Sequence, residues 1–353
     1  FSATSYMCPP KGTTAQRPSS SNPGDIRFNT DTASLEYYRG NTIGWTQIEM
    51  TSPDLDGGAR ALFAGGLTPS LQDIIDYITI STLGDTIDFG DINAGKQSMA
   101  ACASRTRALN LGGYTTATEN EIEYVTISSL GNTQDFGDLT QSKNRVASCS
   151  TQTRGISAGG NIPGGTATNV IEYVTIASTG NGVDFGDSTR AHQSQGGLAS
   201  SVRGVFAGGY QDTSPGSVHW FNTIDYITIA TTGNAIDFGD LPTRRMYAGS
   251  CSNSTRGVFA GGLYYPTRAN IIEYITIATT GDAVDFGDLT NKRSDLAAAS
   301  SPTRGVFCGG DTPSFVNTID YVQIMTLGNA LDFGDQTVMR DRVSGCSNAH
   351  GGL

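Results

Sequence analysis

Residues 223–240 read TIDYITIATTGNAIDFGD, and close variants of this stretch occur six times along the 353-residue chain. The closing tetrapeptide Asp-Phe-Gly-Asp begins at positions 88, 135, 184, 237, 285 and 332, so successive copies are 47 to 53 residues apart. An acidic residue and a tyrosine precede each copy at a fixed distance, as Asp225 and Tyr226 precede Asp237. A period of this length indicates repeated supersecondary units that stack on one another.

Each unit predicts four short strands, which we letter a to d. In the copy that begins at Met246 they are Met246–Ser252, Gly257–Gly262, Ile271–Ile277 and Ala283–Leu289. Strand c alternates branched or aromatic residues with polar ones, which is the pattern of a half-buried β-strand. The Thr-Gly-Asn or Thr-Gly-Asp between strands c and d is typical of a tight turn. With 45 glycines and only 16% charged residues, the chain is predicted to be all-β with almost no helix.

The two ends of the repeat region complete each other. An arginine opens every strand b and stands sixteen residues after the last aspartate of the preceding tetrapeptide, as Arg256 follows Asp240. Sixteen residues after Asp335 no arginine is present, whereas Arg60 opens a strand b that has no strand a before it. We therefore expect Val343–Ala349 to supply strand a of the first unit. Six four-stranded units closed in this way form a six-bladed β-propeller, which leaves no exposed sheet edge.

The repeat resembles the kelch repeat over residues 58–353. The resemblance rests on the period near fifty, the Gly-Gly that closes strand b and the tyrosine of strand c. It departs at one position, because kelch blades usually carry tryptophan on strand d where this chain has the phenylalanine of the tetrapeptide. The resemblance implies a propeller of four-stranded blades at residues 57–353, with residues 342–350 completing the first blade, and a separate module at residues 1–56.

Charge and hydropathy exclude two classes of partner. The net charge is −11 and no cluster of lysine and arginine interrupts it, so we expect no nucleic acid partner. No stretch of eighteen apolar residues is present, so we expect no membrane insertion. Five of the six cysteines fall where other repeats carry small apolar residues, and Cys8 stands alone. Buried free thiols are therefore predicted rather than disulfides or a zinc site.

The Asp-Phe-Gly sequence also occurs in protein kinases, where the aspartate binds magnesium. Six copies without a glycine-rich nucleotide loop or a His-Arg-Asp motif exclude that function. We interpret the phenylalanine as packing between blades, the glycine as permitting a bend, and the carboxylates as acceptors of backbone or arginine hydrogen bonds. Calcium binding by some of these carboxylates is the alternative that the sequence leaves open.

The arginines that open the strands b are predicted to make one repeated structural hydrogen bond or salt bridge, with an anion site as the alternative. They are Arg60, Arg107, Arg154, Arg203, Arg256 and Arg304. Catalysis has little support, because none of His192, His219 and His350 shares a short motif with a nucleophile or a metal-ligand partner. The Ser-x-Asp-x-Gly-x-Thr-Trp box of six-bladed sialidases is also absent. We therefore expect no enzyme activity, no catalytic residue, no cofactor and no metal.

The loops between strands b and c are the irregular part of the repeat, and recognition often resides in such loops. The distance from the Gly-Gly to the strand c tyrosine varies from 11 to 17 residues. Exposed aromatic side chains there suit stacking on sugar rings or anchoring of a protein partner. The alternative is that Trp220 and Phe221 only cover a blade edge. The candidate ligand-binding residues are Tyr114, Tyr210, His219, Trp220, Phe221, Tyr264, Tyr265 and Phe315.

Residues 11–50 have a different pattern. Short strands at Asp25–Asn29, Ser34–Tyr38 and Gly44–Ile48 predict a three-strand meander that is too small to be stable alone. This segment resembles a small module of bacteriophage tail-fibre and virion proteins, through Arg-Pro at 17–18, Gly-Asp-Ile-Arg-Phe-Asn-Thr-Asp-Thr at 24–32 and Glu-Tyr-Tyr at 36–38. The repeat is similar to repeats in fibre-like proteins of marine cyanobacterial phages.

These resemblances imply a structural protein of the virion. Residues 1–56 would attach to other virion or tail subunits, and the propeller would be displayed toward the host, on the particle surface or tail. The leading hypothesis is a non-enzymatic tail-fibre-type protein whose b–c loops bind a host-surface glycan or protein, in a chain that is compatible with a homo-oligomer such as a trimer. A purely structural decoration or assembly protein and a glycan-degrading propeller enzyme are the alternatives.

Overall fold

The computed structural model describes residues 9–31, 34–47, 59–214 and 217–353. Within these ranges the protein is all-β, as the sequence predicts, and the one helix is a 3₁₀ turn at Thr14–Gln16. No helix of the described ranges is long and apolar enough to span a lipid bilayer. The chain divides into two compact units, Phe1–Asp54 and Leu55–Leu353.

The first unit contains one four-stranded sheet. Its strands pair in chain order, and the first pair is parallel while the other pairs are antiparallel. The strands are Lys11–Gly12, Ile26–Asn29, Ser34–Tyr38 and Trp45–Gln47. The predicted meander is therefore confirmed, with Lys11–Gly12 as an added edge strand, while the predicted end at Ile48 lies outside the described residues.

The motif residues of the first unit converge on one buried carboxylate, that of Glu36. Arg17 donates from Nε and Nη2 to the two Glu36 oxygens at 3.2 and 2.6 Å. Asn29 Nδ2 donates at 3.1 Å, and Arg27 Nη1 lies 3.4 Å away. The hydrogen bonds from Arg17 lower the pKa of Glu36. Arg17, Arg27 and Asn29 thus bind the Glu36 carboxylate, and Arg27 and Asn29 do so from the neighbouring strand.

The second unit contains six four-stranded antiparallel sheets, numbered 1 to 6, each with strands in the order a-b-c-d. Their bounds are Ser344–Ser347, Arg60–Ala64, Ile74–Thr79 and Ile87–Asp91 in sheet 1; Ala100–Ala103, Arg107–Tyr114, Thr118–Thr126 and Gln134–Asp138 in sheet 2; Ala147–Ser150, Arg154–Ala158, Val170–Thr175 and Val183–Asp187 in sheet 3; Gly196–Ala199, Arg203–Ala207, Thr223–Thr228 and Ile236–Asp240 in sheet 4; Gly249–Ser252, Arg256–Ala260, Ile271–Thr276 and Val284–Asp288 in sheet 5; and Ala297–Ser300, Arg304–Cys308, Thr318–Gln323 and Leu331–Asp335 in sheet 6.

Four short hairpins lie between strands b and c. They are Leu67–Thr68 with Ser70–Leu71, Asn161–Ile162 with Thr166–Ala167, Tyr210–Ser214 with Ser217–Trp220, and Leu263–Tyr264 with Thr267–Arg268. These hairpins are absent from the strand prediction, because three of them have two-residue strands and the strands of the fourth, of five and four residues, carry no clear alternating pattern.

Sheet 1 is assembled from the two ends of the repeat region. Strand Ser344–Ser347 pairs antiparallel with Arg60–Ala64, so that Ser344 lies opposite Ala64 and Cys346 opposite Leu62. The backbone N–H of Arg60 also donates to Asn348 Oδ1 at 2.8 Å. The predicted role of Val343–Ala349 as the missing strand a is therefore confirmed, with the strand itself limited to four residues.

The phenylalanine and the glycine of the tetrapeptide have the predicted roles. Phe89 is 2% exposed and packs in one cluster with Ile75 of sheet 1 and Val125 of sheet 2. Gly90 has a φ of +147°, and a Cβ there would lie 2.5 Å from the carbonyl oxygen of Gly131 in sheet 2. Only glycine combines this backbone conformation with so close an approach. The Gly131 N–H donates to the Phe89 oxygen at 2.9 Å, which joins the two sheets.

Each strand b arginine joins its sheet to the next one. Arg203 Nη1 donates to the Ile277 oxygen at 2.9 Å, and its guanidinium carbon lies 4.5 Å from the centre of the Tyr226 ring. The predicted repeated hydrogen bond is confirmed, and the last pair joins sheet 6 to sheet 1. The pairs are Arg60–Ile127, Arg107–Ile176, Arg154–Ile229, Arg203–Ile277, Arg256–Ile324 and Arg304–Ile80.

The prediction for the tetrapeptide carboxylates is wrong. Asp237 is exposed at the start of strand d, where water solvates it, and none of the six copies accepts a hydrogen bond at a carboxylate oxygen within the described ranges. The last aspartate of the tetrapeptide instead donates a hydrogen bond from its backbone N–H. The Asp240 N–H donates to Asp282 Oδ1, in the c–d turn of the next sheet, at 2.9 Å.

The acidic residue immediately before each strand c tyrosine has a buried carboxylate. The sequence pattern did not predict this burial. Each of these carboxylates lies next to a basic residue five positions after the preceding tetrapeptide, in the linker to strand a. Arg293 Nη2 lies 3.0 Å from Asp320 Oδ2, and both side chains are fully buried. The six pairs are Lys96–Glu123, Lys143–Glu172, His192–Asp225, Arg245–Glu273, Arg293–Asp320 and Arg340–Asp76. The constant spacing of the basic residue was the signal that could have revealed them.

His192 is the exception in this series. Its Nε2 lies 3.7 Å from Asp225 Oδ2 and 2.6 Å from Gln195 Nε2, and its ring meets the edge of Phe221. Burial lowers the pKa of His192 to about 3, with a smaller contribution from Arg190, and burial raises the pKa of Asp225. Sheet 4 therefore holds a neutral histidine where the other sheets hold a lysine or an arginine.

We expect His192→Gln to remove an acid sensitivity of the fold. The unfolded histidine titrates near 6.5 and the folded one near 3, so the unfolded state binds its proton first as the pH falls. The wild type therefore loses stability below about pH 6.5 in a way that the variant does not. Between pH 7 and pH 4.5 the difference in free energy of unfolding should shift by about 2–3 kcal/mol in favour of the variant. Urea unfolding at both pH values measures this shift, and a constant difference would contradict it.

Candidate functional site

The irregular loops and the linkers into strand a lie at the same end of each sheet, because the four strands alternate in direction. Isolated backbone bridges join the two kinds of segment, for example between Gln193 and Tyr210, between Met246 and Leu263, and between Ser294 and Asp311. We call this the loop end of a sheet. All eight aromatic and histidine candidates from the sequence lie in segments at the loop end.

Two of the candidate aromatics from different sheets are stacked. The Trp220 ring, from the b–c hairpin of sheet 4, lies 5.6 Å from the Tyr265 ring of sheet 5, with the planes 11° apart. Tyr265 and its neighbour Tyr264 are 63% and 57% exposed. The stack fixes one face of Tyr265 and leaves a large aromatic surface in solvent, which is the arrangement required for stacking on a ligand ring.

A recess beside Tyr264 adds polar groups to this aromatic surface. It has a volume of about 190 Å³, and Thr243, Asn270, Arg268 and Lys292 lie on its walls. Lys292 is exposed, so its ammonium is free to donate to a ligand. An aromatic platform with hydroxyl, amide and cationic groups at its side is suited to a polyhydroxylated ligand. We call Trp220, Tyr264, Tyr265 and this recess the aromatic site.

Tyr210 is not part of the exposed surface that the sequence predicted. It is 6% exposed, its hydroxyl accepts a hydrogen bond from Arg145 Nη1, and it lies 3.1 Å from the Tyr247 hydroxyl. Burial raises its pKa. Tyr210 directly follows the Gly-Gly, where the bridge to Gln193 turns its side chain into the protein. Its role is therefore to pack the base of the loop.

The remaining candidates are not part of the ring stack of Trp220 and Tyr265. Phe221 is half-buried, with its ring against His192 and the Arg190 guanidinium carbon 5.1 Å from its centre. His219 is exposed next to Trp220, whereas Tyr114 and Phe315 are half-buried. Within the described ranges neither of these last two makes a ring contact with the stacked pair. The structure thus brings together the candidates of sheets 4 and 5 and leaves those of sheets 2 and 6 separate.

Six non-glycine residues with left-handed backbone conformations form a second feature of the loop end. Their φ values lie between 54° and 61°, and each stands seven positions after a tetrapeptide. The N–H of each donates to the carbonyl oxygen of its counterpart in the preceding sheet at 2.8–3.1 Å, and the Ser98 N–H donates to the Arg342 oxygen, so the six bonds form a cycle. This cycle holds a conformation that is otherwise unfavourable. The six residues are Ser98, Arg145, Ser194, Tyr247, Asp295 and Arg342.

The cycle surrounds a cavity of about 110 Å³. The cations Arg145 and Arg342 and the anion Asp295 lie on its wall. The Arg145 guanidinium carbon lies 5.8 Å from the centre of the Tyr247 ring, and Arg342 Nη1 donates to Gln97 Oε1 at 2.9 Å. The identities of the six residues differ from sheet to sheet although their backbone is the same, so their side chains are not required by the repeat.

Below the cycle the strands a of successive sheets lie side by side. Ser252 Oγ donates to the Ala199 oxygen at 2.7 Å, and Ser300 Oγ donates to the Ser252 oxygen at 2.8 Å. The cysteines here are buried free thiols, as predicted, and burial raises the pKa of Cys251 and Cys346 to about 12. Cys8 lies outside the described residues. A cavity of about 50 Å³ remains between the strands.

His350 closes this cavity at its far end. Its Nε2 lies 2.9 Å from the Ala103 oxygen and 3.1 Å from Ser150 Oγ, and the Gly352 N–H donates to its Nδ1 at 3.1 Å. Burial lowers the pKa of His350. A Cβ on Gly352 would lie 1.9 Å from the Ser150 oxygen, so glycine is required for this close approach. His350 therefore has a packing role.

Comparison with protein-family models gives no match for this chain, and comparison with curated proteins gives no significant match.

Proposed function

We propose that residues 57–353 form a closed six-bladed β-propeller of the kelch type. The support is that sheet 6 contacts sheet 1 through the same bonds that join every other successive pair. The Gly84 N–H donates to the Phe333 oxygen at 2.9 Å, Arg304 Nη1 donates to the Ile80 oxygen at 3.0 Å, and the cycle of six left-handed residues includes all six sheets. In an open array the last sheet would have no such partner.

We infer that this propeller binds a host-surface glycan through the aromatic site. The observation that carries this inference is the exposed Tyr264 and Tyr265 surface, which stacks on Trp220 and is bordered by a mainly apolar recess with a few polar side chains on its walls. Sugar rings stack their C–H faces on aromatic side chains while their hydroxyls accept and donate hydrogen bonds at the edge.

We also propose that the chain is a non-enzymatic virion surface protein of the tail-fibre type, with residues 1–56 as the attachment module. The support is the resemblance of residues 11–50 and of the repeat to phage proteins. Four residues of the motif on which that resemblance rests, Arg17, Arg27, Asn29 and Glu36, form the network around the Glu36 carboxylate. The burial of His192 and His350, two of the three histidines, favours a binding protein over an enzyme that uses histidine as a general base.

We expect Tyr265→Ala to weaken glycan binding by at least about tenfold, or about 1.4 kcal/mol. The change removes the most exposed ring of the aromatic site and leaves the strands of sheet 5 intact. Tyr264→Ala should give a similar loss. A glycan array, followed by titration of the best ligand and by binding to host envelopes, measures the effect.

Leu331→Ala is the matched control for this experiment. Leu331 is 59% exposed but lies at the start of strand d, at the opposite end of its sheet from the loop end. This variant should bind like the wild type. Equal binding by wild type and Tyr265→Ala would exclude the aromatic site, and failure of the wild type to bind any glycan or host envelope would favour the purely structural alternative. Release of reducing sugars from host polysaccharide would favour the enzyme alternative.

A further inference from the structure

We propose that Asp295, Asp311 and Asp341 form a binding site for a divalent cation of the calcium class at the junction of sheets 6 and 1. One carboxylate oxygen from each residue lies within 4.8 Å of the other two. Asp295 and Asp311 flank strands of sheet 6, whereas Asp341 precedes the strand a that completes sheet 1. Calcium binds carboxylate oxygens in flexible geometries, with water completing the shell. The proposal does not rest on glycan binding, although Arg268 both pairs with Asp311 and lies on the wall of the recess in the aromatic site.

Asp341 provides the strongest evidence for a missing ligand. The residue is 3% exposed, and its Oδ1 has no hydrogen-bond partner among the described residues. Its Oδ2 lies 3.6 Å from Arg342 Nε, which is too far for a hydrogen bond. A buried carboxylate without a partner is costly, so such a group normally binds a cation or a proton.

The cations already present do not neutralise the cluster. Arg268 Nε donates to Asp311 Oδ1 at 3.0 Å, and Arg342 Nε lies 3.8 Å from Asp295 Oδ1. The three carboxylates thus share two guanidinium groups, and Arg268 is within ion-pair distance of Asp311 alone of the three. Ser294 Oγ lies 2.8 Å from Asp311 Oδ1 and 3.2 Å from Asp295 Oδ2, so its single O–H can donate to either carboxylate, and it is a further oxygen at the site.

A divalent cation bound between the three carboxylates would offset the repulsion between them and would provide the unpartnered Asp341 oxygen with a ligand.

The repeat itself does not require acidic residues at these positions. Asp311 directly follows the Gly-Gly of its repeat, where the other five repeats carry leucine, tyrosine or asparagine. Asp341 and Asp295 stand six and seven positions after a tetrapeptide, and none of their equivalents elsewhere is acidic. The three carboxylates therefore meet only at the junction of sheets 6 and 1, where a shared cation would join the ends of the repeat region.

The test uses the whole chain, freed of metal with a chelator and then titrated with CaCl₂. Calorimetry should show one bound calcium per chain, and calcium should raise the melting temperature of the wild type. Asp341→Asn should reduce the calcium affinity by at least about tenfold and abolish the melting shift. Without calcium, this variant should melt no lower than the wild type, because it lacks the unpaired buried charge.

Two further variants make the result decisive. Asp332→Asn removes an exposed carboxylate of sheet 6 that accepts no hydrogen bond within the described ranges, and it should bind calcium like the wild type. Asp295→Asn should lose binding as Asp341→Asn does. The proposal is overturned if the wild type shows neither binding heat nor a melting shift with calcium. It is also overturned if Asp341→Asn and Asp295→Asn both respond like the wild type.

Discussion

Arg340→Met should destabilise the protein by about 3–5 kcal/mol, because it leaves a buried carboxylate without its cation. Arg340 is fully buried and binds four groups of sheet 1. Its Nη2 lies 2.8 Å from Asp76 Oδ2 and 3.3 Å from the Phe63 oxygen, and its Nη1 donates to the Gly65 and Ile74 oxygens at 3.0 Å each. Methionine matches the length of the stem and makes none of these bonds. The free energy of urea unfolding measures the loss.

Two comparisons show whether the loss arises from the ion pair. Arg105→Met removes an exposed arginine that forms no ion pair in the described residues, and it should change stability by less than about 0.5 kcal/mol. The double variant Arg340→Met with Asp76→Leu removes both partners, so it should regain much of the lost stability. A single-variant loss near that of Arg105→Met would show that the pair contributes little.

The four main strands of each sheet were predictable because the repeat marks them in every copy, although the predicted strand a Met246–Ser252 begins three residues before the observed Gly249–Ser252. Ile271–Thr276 was placed within one residue from the alternation of isoleucine, glutamate and tyrosine alone. The pairing of Ser344–Ser347 with Arg60–Ala64 was also predictable, because constant spacing within a repeat reveals a missing piece. Comparison of the six copies thus identified the partner of a strand that is too short to reveal its pairing by itself.

The ion pairs were not predictable from local pattern. Arg340 and Asp76 are 264 residues apart, and only the pairing of the two ends of the repeat region brings them together. Their counterparts in sheet 2, Lys96 and Glu123, are 27 residues apart, but lysine in a linker of polar residues gives no sign of burial. The sequence does show that this basic residue stands at a constant distance after each tetrapeptide. It is less easy to recognise as part of the repeat, because lysine, arginine and histidine replace one another at this position.

The aromatic site was predicted in part, and the error follows from strand geometry. Tyr210 and Tyr264 both lie just after a Gly-Gly, but Tyr210 is the first residue after it and Tyr264 the second. Successive side chains in a strand point to opposite faces, so one position separates a buried tyrosine from an exposed one. Tyr114 occupies the same position as Tyr210 and is half-buried. Composition of the loop alone could not make this distinction.

Gly334→Ala should destabilise the protein by about 2–6 kcal/mol, the combined cost of an unfavourable backbone conformation and of overpacking. Gly334 has a φ of +151°, and a Cβ there would lie 2.4 Å from the Gly84 oxygen. Gly239 has the same geometry between sheets 4 and 5, with a φ of +150° and a distance of 2.5 Å to the Gly281 oxygen. If sheets 6 and 1 are joined like every other pair, the two alanine variants should lose equal stability in urea.

Gly84→Ala separates the two contributions. Gly84 has a φ of +148°, but a Cβ there would meet no atom within 4 Å, so alanine adds only the backbone cost of about 1–3 kcal/mol. The additional loss in Gly334→Ala therefore measures the contact between sheets 6 and 1. If these sheets were apart in solution, Gly334→Ala would lose no more than Gly84→Ala, while Gly239→Ala would still lose the larger amount. A propeller closed by its last sheet requires that Gly334→Ala follow Gly239→Ala, because the steric collision exists only where a neighbouring sheet is present.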